Sequence, residues 1–400
     1  MNERDDLPLV TVVTPSYNQA QFIRATIESV LSQDYPNIEY IIVDGGSNDG
    51  TSAVVAPYSD RLRFMSEKDR GQADAINKGF RMARGSIVSY LNSDDLFLPG
   101  AVSAAVAALT ENPEWGAVFG EGYRIDASGT VISRFEVTEP YNLWKLVNVS
   151  DYILQQTVFW RRDVFDTIGF FDLDLHYGLD WEILMRTGKR YFMGYIPQFM
   201  GCLREYPQAK TSAGGGQRFR EIARILRAQS SSRFPPAYFI YGLDTYEKIA
   251  CRTIDRLFSW WPRLSQKLQR GVLRLSHDYI GRAATHSQGI YSDGWASTRA
   301  HYMLPPCDGR YIELNVTLPP GPVDRQTLTV RTGSRVLARE SFATGTYALY
   351  VPVPQELWDD TLTFSIDAAR HFVPDGADTR KLAYIVESIG FSSSYQLPGG

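Results

Sequence analysis

The strongest constraint on this chain is a rhythm running through its first third. Short apolar runs, each closing on a polar cluster, alternate with stretches of helical spacing. Val10 to Thr14 is a β-branched run followed by Pro15 and a polar turn. Phe22, Ile23, Ile27, Val30 and Leu31 then recur at helical spacing; Asn18 stands where a helix cap belongs, with Gln21 three residues on, as in a capping box. Tyr40-Ile41-Ile42-Val43 is a wholly apolar strand that stops at Asp44, and Leu62 to Met65 reads as another. A helix over Gln72 to Ala83 precedes a strand over Ile87 to Leu91, which runs into Asn92-Ser93-Asp94-Asp95. Ala101 to Leu109 is helical, and Ala117 to Phe119 opens a further strand. Apolar strands alternating with helices predict an α/β fold with a mostly parallel sheet flanked by helices on both faces.

Length and charge divide the rest. The 400 residues suffice for two or three domains, and 44% hydrophobic types supply their cores. Residues 217–285 carry 13 basic and 5 acidic side chains, a local net of +8, against −3 for residues 286–400 and −9 for residues 1–216. Ala213-Gly214-Gly215-Gly216 marks the first boundary, because successive glycines seldom sit inside an element. The predicted organisation is therefore an α/β domain over 1–216, a basic helical segment over 217–285 and a β-rich end over 286–400. In that end, Tyr311 to Leu318, Gln326 to Thr332, Ser334 to Phe342, Tyr347 to Val353, Thr361 to Ala368 and Lys381 to Phe391 read as strands of an all-β sandwich.

Several classes are excluded by composition. Lys plus Arg total 41 against 45 for Asp plus Glu, a formal net charge of −4, so no nucleic acid is expected as partner. Cys202, Cys251 and Cys307 have neither metal-type spacing nor an even count, which points to a reducing, cytoplasmic setting. The opening Met1-Asn2-Glu3-Arg4-Asp5-Asp6 has no apolar signal core behind it, and no uncharged stretch reaches the roughly 18 residues of a membrane span.

In an open parallel sheet, ligands bind beyond the carboxyl ends of the strands. Three polar clusters fall there: Thr14 to Asn18, Asp44 to Thr51 and Asn92 to Asp95. None has G-x-G-x-x-G or P-loop spacing, which disfavours a dinucleotide or P-loop reading. The second sets a carboxylate beside glycines, suited to ribose hydroxyls or a base edge. The third offers adjacent carboxylates, hard oxygen ligands for Mg²⁺ or Mn²⁺ bridging a diphosphate. Taken singly, each also reads as a surface turn or a helix cap.

These residues resemble family 2 of the glycosyltransferases, with the GT-A fold, over residues 9–212. The resemblance rests on Thr14-Pro15-Ser16-Tyr17-Asn18, Val43 to Thr51, Glu67-Lys68-Asp69-Arg70-Gly71, Asn77-Lys78-Gly79 and Leu91-Asn92-Ser93-Asp94-Asp95. It implies a nucleotide-sugar site containing Pro15, Tyr17, Asp44, Asp69, Gly71, Asn77, Ser93 and Asp94. Asn92 stands at the first carboxylate of the family's metal-binding D-x-D motif, so Asp94 is implied as ligand for Mn²⁺ or Mg²⁺, with Asp95 supporting. Asp180, in Tyr177-Gly178-Leu179-Asp180-Trp181, matches the family's general base, with Leu179 in place of a Glu; a plain helix cap is the alternative reading. Tyr206 stands where many members carry a His, and Arg204 and Lys210 are the candidates for positive charge at the diphosphate. One base without a protein nucleophile implies inversion. No Q-x-x-R-W signature follows residue 180, so a single transfer to a glycan or lipid-linked glycan is expected, with UDP as the family's commonest nucleotide. The competing readings are a glycan-binding protein that has lost catalysis and a transferase acting on a polyprenyl phosphate.

Within the basic segment, Leu257, Phe258, Trp260, Trp261, Leu264 and Leu268 interleave with Arg252, Arg256, Arg263, Lys267, Arg270, Arg274 and Arg282. That composition suits peripheral contact with an anionic membrane, or a helical linker with solvated charges. The β-rich end opens with Gly289 to Trp295 and resembles sandwich modules attached to some bacterial glycosyltransferases. Tyr291, Trp295 and Trp358 are its candidates for stacking on sugar rings, or else are core.

Overall fold

A computed structural model describes residues 7–135, 138–206, 210, 215–258, 260–261, 263–272, 288–290, 295–306, 310–358, 360–374 and 380–392. Cys307, Tyr291, Arg274 and Arg282 lie outside the described residues. The chain forms two compact units: residues 1–141 with 151–225, and residues 142–150 with 226–400.

The first unit is an α/β layer structure. Its strands are β1 (Val10–Ser16), β2 (Ile38–Asp44), β3 (Arg63–Ser66), β4 (Ile87–Tyr90), β5 (Leu96–Phe97), β6 (Trp115–Ile125), β7 (Val131–Arg134), β8 (Phe159–Arg161) and β9 (Phe192–Arg204). They pair in the order β3-β2-β1-β4-β8-β6-β9-β5, with β7 on β6. The run β3-β2-β1-β4 is parallel, as is β6 with β9, whereas β5, β7 and β8 pair antiparallel to their neighbours. All seven residues of β1 are buried; Val10, Val12 and Val13 pack in the core, while Thr11 and Thr14 satisfy their hydroxyls on Glu39 and Tyr40 of β2.

Helices α1 (Ile23–Leu31), α2 (Thr51–Val55), α3 (Gln72–Met82) and α4 (Ala101–Glu111) cover the parallel half. The helical stripe of α1 is the face that is buried, through Ile23, Ile27 and Val30. The expected capping box does not form, since the helix starts one turn later without a side-chain cap. Asn18 instead adopts φ 53°, its Oδ1 accepts the Asn48 N–H at 3.0 Å, and its own N–H donates to Ser47 Oγ at 2.7 Å. Asn tolerates that left-handed conformation, and here it fastens the turn after β1 to the turn after β2.

Short helices α5 (Leu143–Asn148) and α6 (Val164–Ile168) are followed by α7 (Leu179–Gly188), α8 (Gly215–Gln229) and α9 (Pro236–Leu257), and by α10 over 263–272. The unit boundary falls inside α8 rather than at the glycine run, and α5 belongs to the second unit. There Trp144 stacks on His301 with ring centroids 5.6 Å apart, and Ser230 Oγ donates to Asn148 Oδ1 at 2.8 Å.

Two four-stranded antiparallel sheets complete the second unit. One has the order β10 (Trp295–Ala296), β17 (Tyr384–Ser392), β12 (Tyr311–Leu318), β15 (Gly345–Pro352). The other runs β11 (Arg299–Leu304), β16 (Leu362–Ala368), β13 (Arg325–Thr332), β14 (Arg335–Ala343). Strict alternation buries Ile312, Leu314, Val316 and Leu318 along β12, the period-2 pattern of a sandwich strand. The strands expected from the sequence are present; β11, with its His and Arg, had no such signal.

One close approach sets where α3 lies. A Cβ at Gly79 would sit 2.3 Å from Val13 Cγ1, so only glycine lets the helix rest on β1. Gly79→Ala is expected to destabilise the first unit by about 1–3 kcal/mol, because a β-branched core residue cannot yield. Gly216→Ala, in α8 with open space around it, is expected to leave stability unchanged or raise it by up to about 1 kcal/mol. Urea unfolding of the two variants checks the contrast.

Candidate active site

Parallel register brings Ser16, Asp44 and Ser66 side by side at the ends of β1, β2 and β3. Asp44 is fully buried there. Its carboxylate accepts from Ser47 Oγ at 2.5 Å, Ser66 Oγ at 2.7 Å, Ser47 N–H at 2.9 Å and Gly46 N–H at 3.2 Å. Three of these bonds fall on Oδ2 and one on Oδ1, and together they hold the Gly45-Gly46 turn in shape. A Cβ at Gly45 would lie 2.8 Å from Asp69 Oδ2, so the turn backbone runs hard against that second carboxylate. Burial raises the pKa of Asp69, opposed by the Gly71 N–H that donates to Oδ1 at 2.8 Å. Pro15 is buried beside this rim, Tyr17 is 62% exposed, and the buried Ser16 hydroxyl has no partner among the described residues.

The turn after β4 holds a second cluster. Asp95 is buried, and its oxygens accept from Gln156 Nε2 at 2.6 Å, Arg204 N–H at 2.8 Å and Asn92 Nδ2 at 3.0 Å. Its neighbour Asp94, half-buried, accepts from the Tyr206 hydroxyl at 2.7 Å through Oδ2. Ser93 is buried between the arms of this turn. Burial raises the Asp94 pKa against the Tyr206 bond, and pushes Asp95 up to about 7 with the Asp94 charge assisting.

A third cluster forms where α7 begins. The Trp181 N–H donates to Asp180 Oδ1 at 2.9 Å, so a first-turn amide does orient this carboxylate. Glu221 of α8 accepts the His176 and Tyr177 N–H groups at 2.8 and 2.7 Å, pinning the loop that delivers it. Lys210 Nζ donates to Gln72 Oε1 at 2.7 Å, and Gln72 Nε2 donates to Asn92 Oδ1 at 2.7 Å. Burial draws the Lys210 pKa down, against the charges of Asp180 and Glu221. Tyr90, buried in the core, feels the charges of Asp180, Asp151 and Asp95 together. The second and third clusters thus share one electrostatic environment, and Gln72 bridges them.

Two further residues marked from the sequence are hydrogen-bonded within the chain. Asn77 is buried with both ends of its amide on Phe171, donating to its carbonyl at 2.8 Å and accepting its N–H at 3.0 Å. It braces the loop ahead of α7. Arg204 is buried, with Nε donating to the Asp94 carbonyl at 2.7 Å and Nη1 to the carbonyls of Asp126 and Ala127. Its charge acts on Asp94, favouring the ionised carboxylate.

Gln72, Asp151 and Gln156 escaped sequence reasoning. Burial, then the Asp180 charge, raises the Asp151 pKa well above the usual carboxylate range. The sequence around it, Asn148-Val149-Ser150-Asp151-Tyr152, carries no motif that marks it.

The donor set can be tested against the divalent cation implied by the sequence. Among the described residues no group of three or more His, Cys, Asp or Glu side chains could hold a metal ion. Mg²⁺ and Mn²⁺ sites at phosphates need less: one or two carboxylates, with substrate oxygens and water completing the shell. Asp94, at the rim with one oxygen tied to Tyr206, fits that demand. Asp95 does not, since its oxygens are turned inward onto three donors.

A carboxyl whose pKa rises on folding binds its proton more tightly in the native state. For Asp95, stability is therefore greatest below the ordinary value of 3.8 and falls as pH climbs towards about 7. Between about pH 4 and about pH 8, wild type is expected to lose stability relative to Asp95→Asn. Unfolding midpoints of both proteins across that range check the sign.

A family model described as Glycosyl transferase family 2 matches residues 11–169. An uncharacterized glycosyltransferase of Mycobacterium tuberculosis is 31% identical over 183 residues, 45% of this chain and 69% of the relative. One from Rickettsia typhi is 29% identical over 202 residues, 48% of this chain and 63% of the relative, so the chain spans under two thirds of that protein. Among solved structures, the Pyrobaculum calidifontis mannosyltransferase PcManGT, in complex with GDP-Man and Mn²⁺, aligns with a TM-score of 0.46 and 21% identity over 70% of this chain and 86% of that one. The chain belongs to the family 2 glycosyltransferases.

Proposed function

We propose that the first unit moves a single sugar from a nucleotide-diphosphate donor, UDP foremost, to a hydroxyl of a glycan or lipid-linked glycan, inverting the anomeric centre. The setting proposed is assembly of a bacterial surface polysaccharide at the cytoplasmic side of the membrane, with peripheral contact to anionic lipid. The observation that carries the reading is the bridge Lys210–Gln72–Asn92, which spans from the charge field of Asp180 to the Asp94-Asp95 turn.

In this reading the acceptor oxygen attacks the anomeric carbon while Asp180 takes its proton. The bond from that carbon to the diphosphate oxygen breaks with its electron pair on the departing nucleoside diphosphate. A divalent cation, Mn²⁺ or Mg²⁺, supplies charge neutralisation at that diphosphate when bound, with Asp94 as its protein ligand. Lys210, held by Gln72, brings a second positive charge to the same region. Burial and the Asp180 charge push the Asp151 carboxyl well above the usual carboxylate range, which disfavours a second negative charge next to Asp180. Asp69 and the Gly45-Gly46 backbone form the nucleoside end, where the unpartnered Ser16 hydroxyl also lies.

The second unit is read as a glycan-binding module. Trp295 meets Phe372 edge to face, 5.4 Å between centroids, at an apolar cavity of about 130 Å³ also lined by Leu318, Pro319, Pro322 and Val323. Trp358 commits its indole N–H to the Val353 carbonyl at 3.0 Å and is read as structural.

Asp180→Asn is expected to lower transfer by about 10²–10⁴-fold. Its affinity for UDP in the presence of Mn²⁺, measured by calorimetry, is expected to match wild type. Near-normal turnover of the variant overturns the base assignment, and a product with the donor's anomeric configuration overturns inversion.

A further inference from the structure

The largest group of exposed apolar side chains lies in the helical part of the second unit. Phe234, Phe239, Tyr246, Ile249, Leu257, Trp260, Trp261 and Leu268 are all exposed, against scattered single cases elsewhere among the described residues. Trp260 is 73% and Trp261 51% exposed. Both stand at the bend between α9 and α10, where Trp261 N–H donates to the Phe258 carbonyl and the Leu264 and Ser265 N–H groups donate to the Trp261 carbonyl. The second helix folds back on the first, since Ser265 Oγ and Gln269 Nε2 donate to Asp255 Oδ1 at 3.3 and 3.5 Å. The two indoles lie 5.7 Å apart at the apex of this hairpin, with exposed Leu257 beside them.

Exposed cations outnumber exposed acids around the apex. Asp255 is exposed and accepts those hydrogen bonds through Oδ1, and Asp244 is tied to Lys248 at 2.9 Å. Arg256, Arg263, Lys267 and Arg270 are exposed, and none forms an ion pair among the described residues. Arg263, Lys267 and Arg270 recur at i, i+4 and i+7, which sets them along one side of α10. Burying two indoles among apolar side chains while surrounding them with cations matches one partner best. Indoles prefer the boundary between hydrocarbon and headgroup, and arginines there meet lipid phosphates.

We infer that the α9–α10 hairpin is a membrane wedge: its apex inserts Trp260, Trp261 and Leu257 into the headgroup boundary of an anionic bilayer, and Arg256 and Arg263 hold the phosphates on either side. The inference rests on the peripheral membrane contact proposed above and goes further by assigning it to the apex rather than to a helix lying flat. The occupant is a lipid surface. A protein partner would satisfy the indoles but gives no reason for the excess of exposed cations over acids at the apex.

The full chain is mixed with sedimentable vesicles of phosphatidylcholine alone or with added phosphatidylglycerol. Wild type is expected to pellet with the anionic vesicles only. Trp260→Ala with Trp261→Ala, and separately Arg256→Glu with Arg263→Glu, are each expected to weaken that binding by about tenfold or more. All four positions are exposed, so far-ultraviolet dichroism and thermal unfolding are expected to stay at wild-type values. Anionic binding that both pairs of substitutions leave intact overturns the wedge while the peripheral contact stands. Absence of wild-type binding overturns both. Concentration-dependent self-association that the tryptophan substitutions abolish, without vesicle binding, assigns the apex to a second copy of the chain and overturns the wedge as well.

Discussion

Everything at the site depends on one buried carboxylate being satisfied. Asp95 sits under the turn after β4, where an uncompensated charge would cost several kcal/mol. Its three donors come from Asn92 in its own turn, Gln156 ahead of β8 and the Arg204 backbone at the end of β9. The Asp95 carbonyl in turn accepts the Thr26 hydroxyl of α1 at 2.8 Å. Four segments far apart in sequence are thereby drawn to one point, and Asp94, the next residue, is left at the rim facing Tyr206. Asp95 builds the platform; Asp94 is what the platform presents.

The same economy recurs around Asp180. A carboxylate at a helix start needs its helix aimed, and here the aim comes from Glu221 holding the preceding loop and Asn77 bracing Phe171 upstream of it. Gln72, at the first turn of α3, then joins Lys210 to Asn92. The glycine at position 79 places α3, and through it Gln72, so a packing detail two turns along the helix bears on a polar bridge in the cleft. Positioning in this family member is a property of the amide side chains as much as of the acids they connect.

Much of this was legible beforehand, and the misses share a cause. The apolar runs located the strands because a buried parallel strand must be apolar on both faces. The polar clusters were found at the strand ends because the chain must leave the sheet there. Asp44, Asn77 and Arg204 were marked as special residues, and in the structure each is hydrogen-bonded to the protein itself. A motif records that a polar side chain is required at a position. Whether its lone pairs and protons face a ligand or the next loop depends on donors contributed from elsewhere in the chain, as with Ser66 for Asp44. Asn18 failed for the same reason: its cap partner lay not in the following helix but in the turn after β2.

By itself, the sequence determined the layer architecture, the change to a sandwich at the end, the family and the three acidic clusters, since these follow from local periodicity and from residue type at strand ends. Tertiary structure alone decided which acid is tied inward and which reaches the rim, that α5 packs with the second unit, and that two tryptophans crown a helical hairpin within a basic collar. Those outcomes depend on hydrogen bonds and burial between residues separated by tens to more than a hundred positions. Partners at that distance leave no local pattern in a chain, because the free energy that selects them exists only once the segments have met.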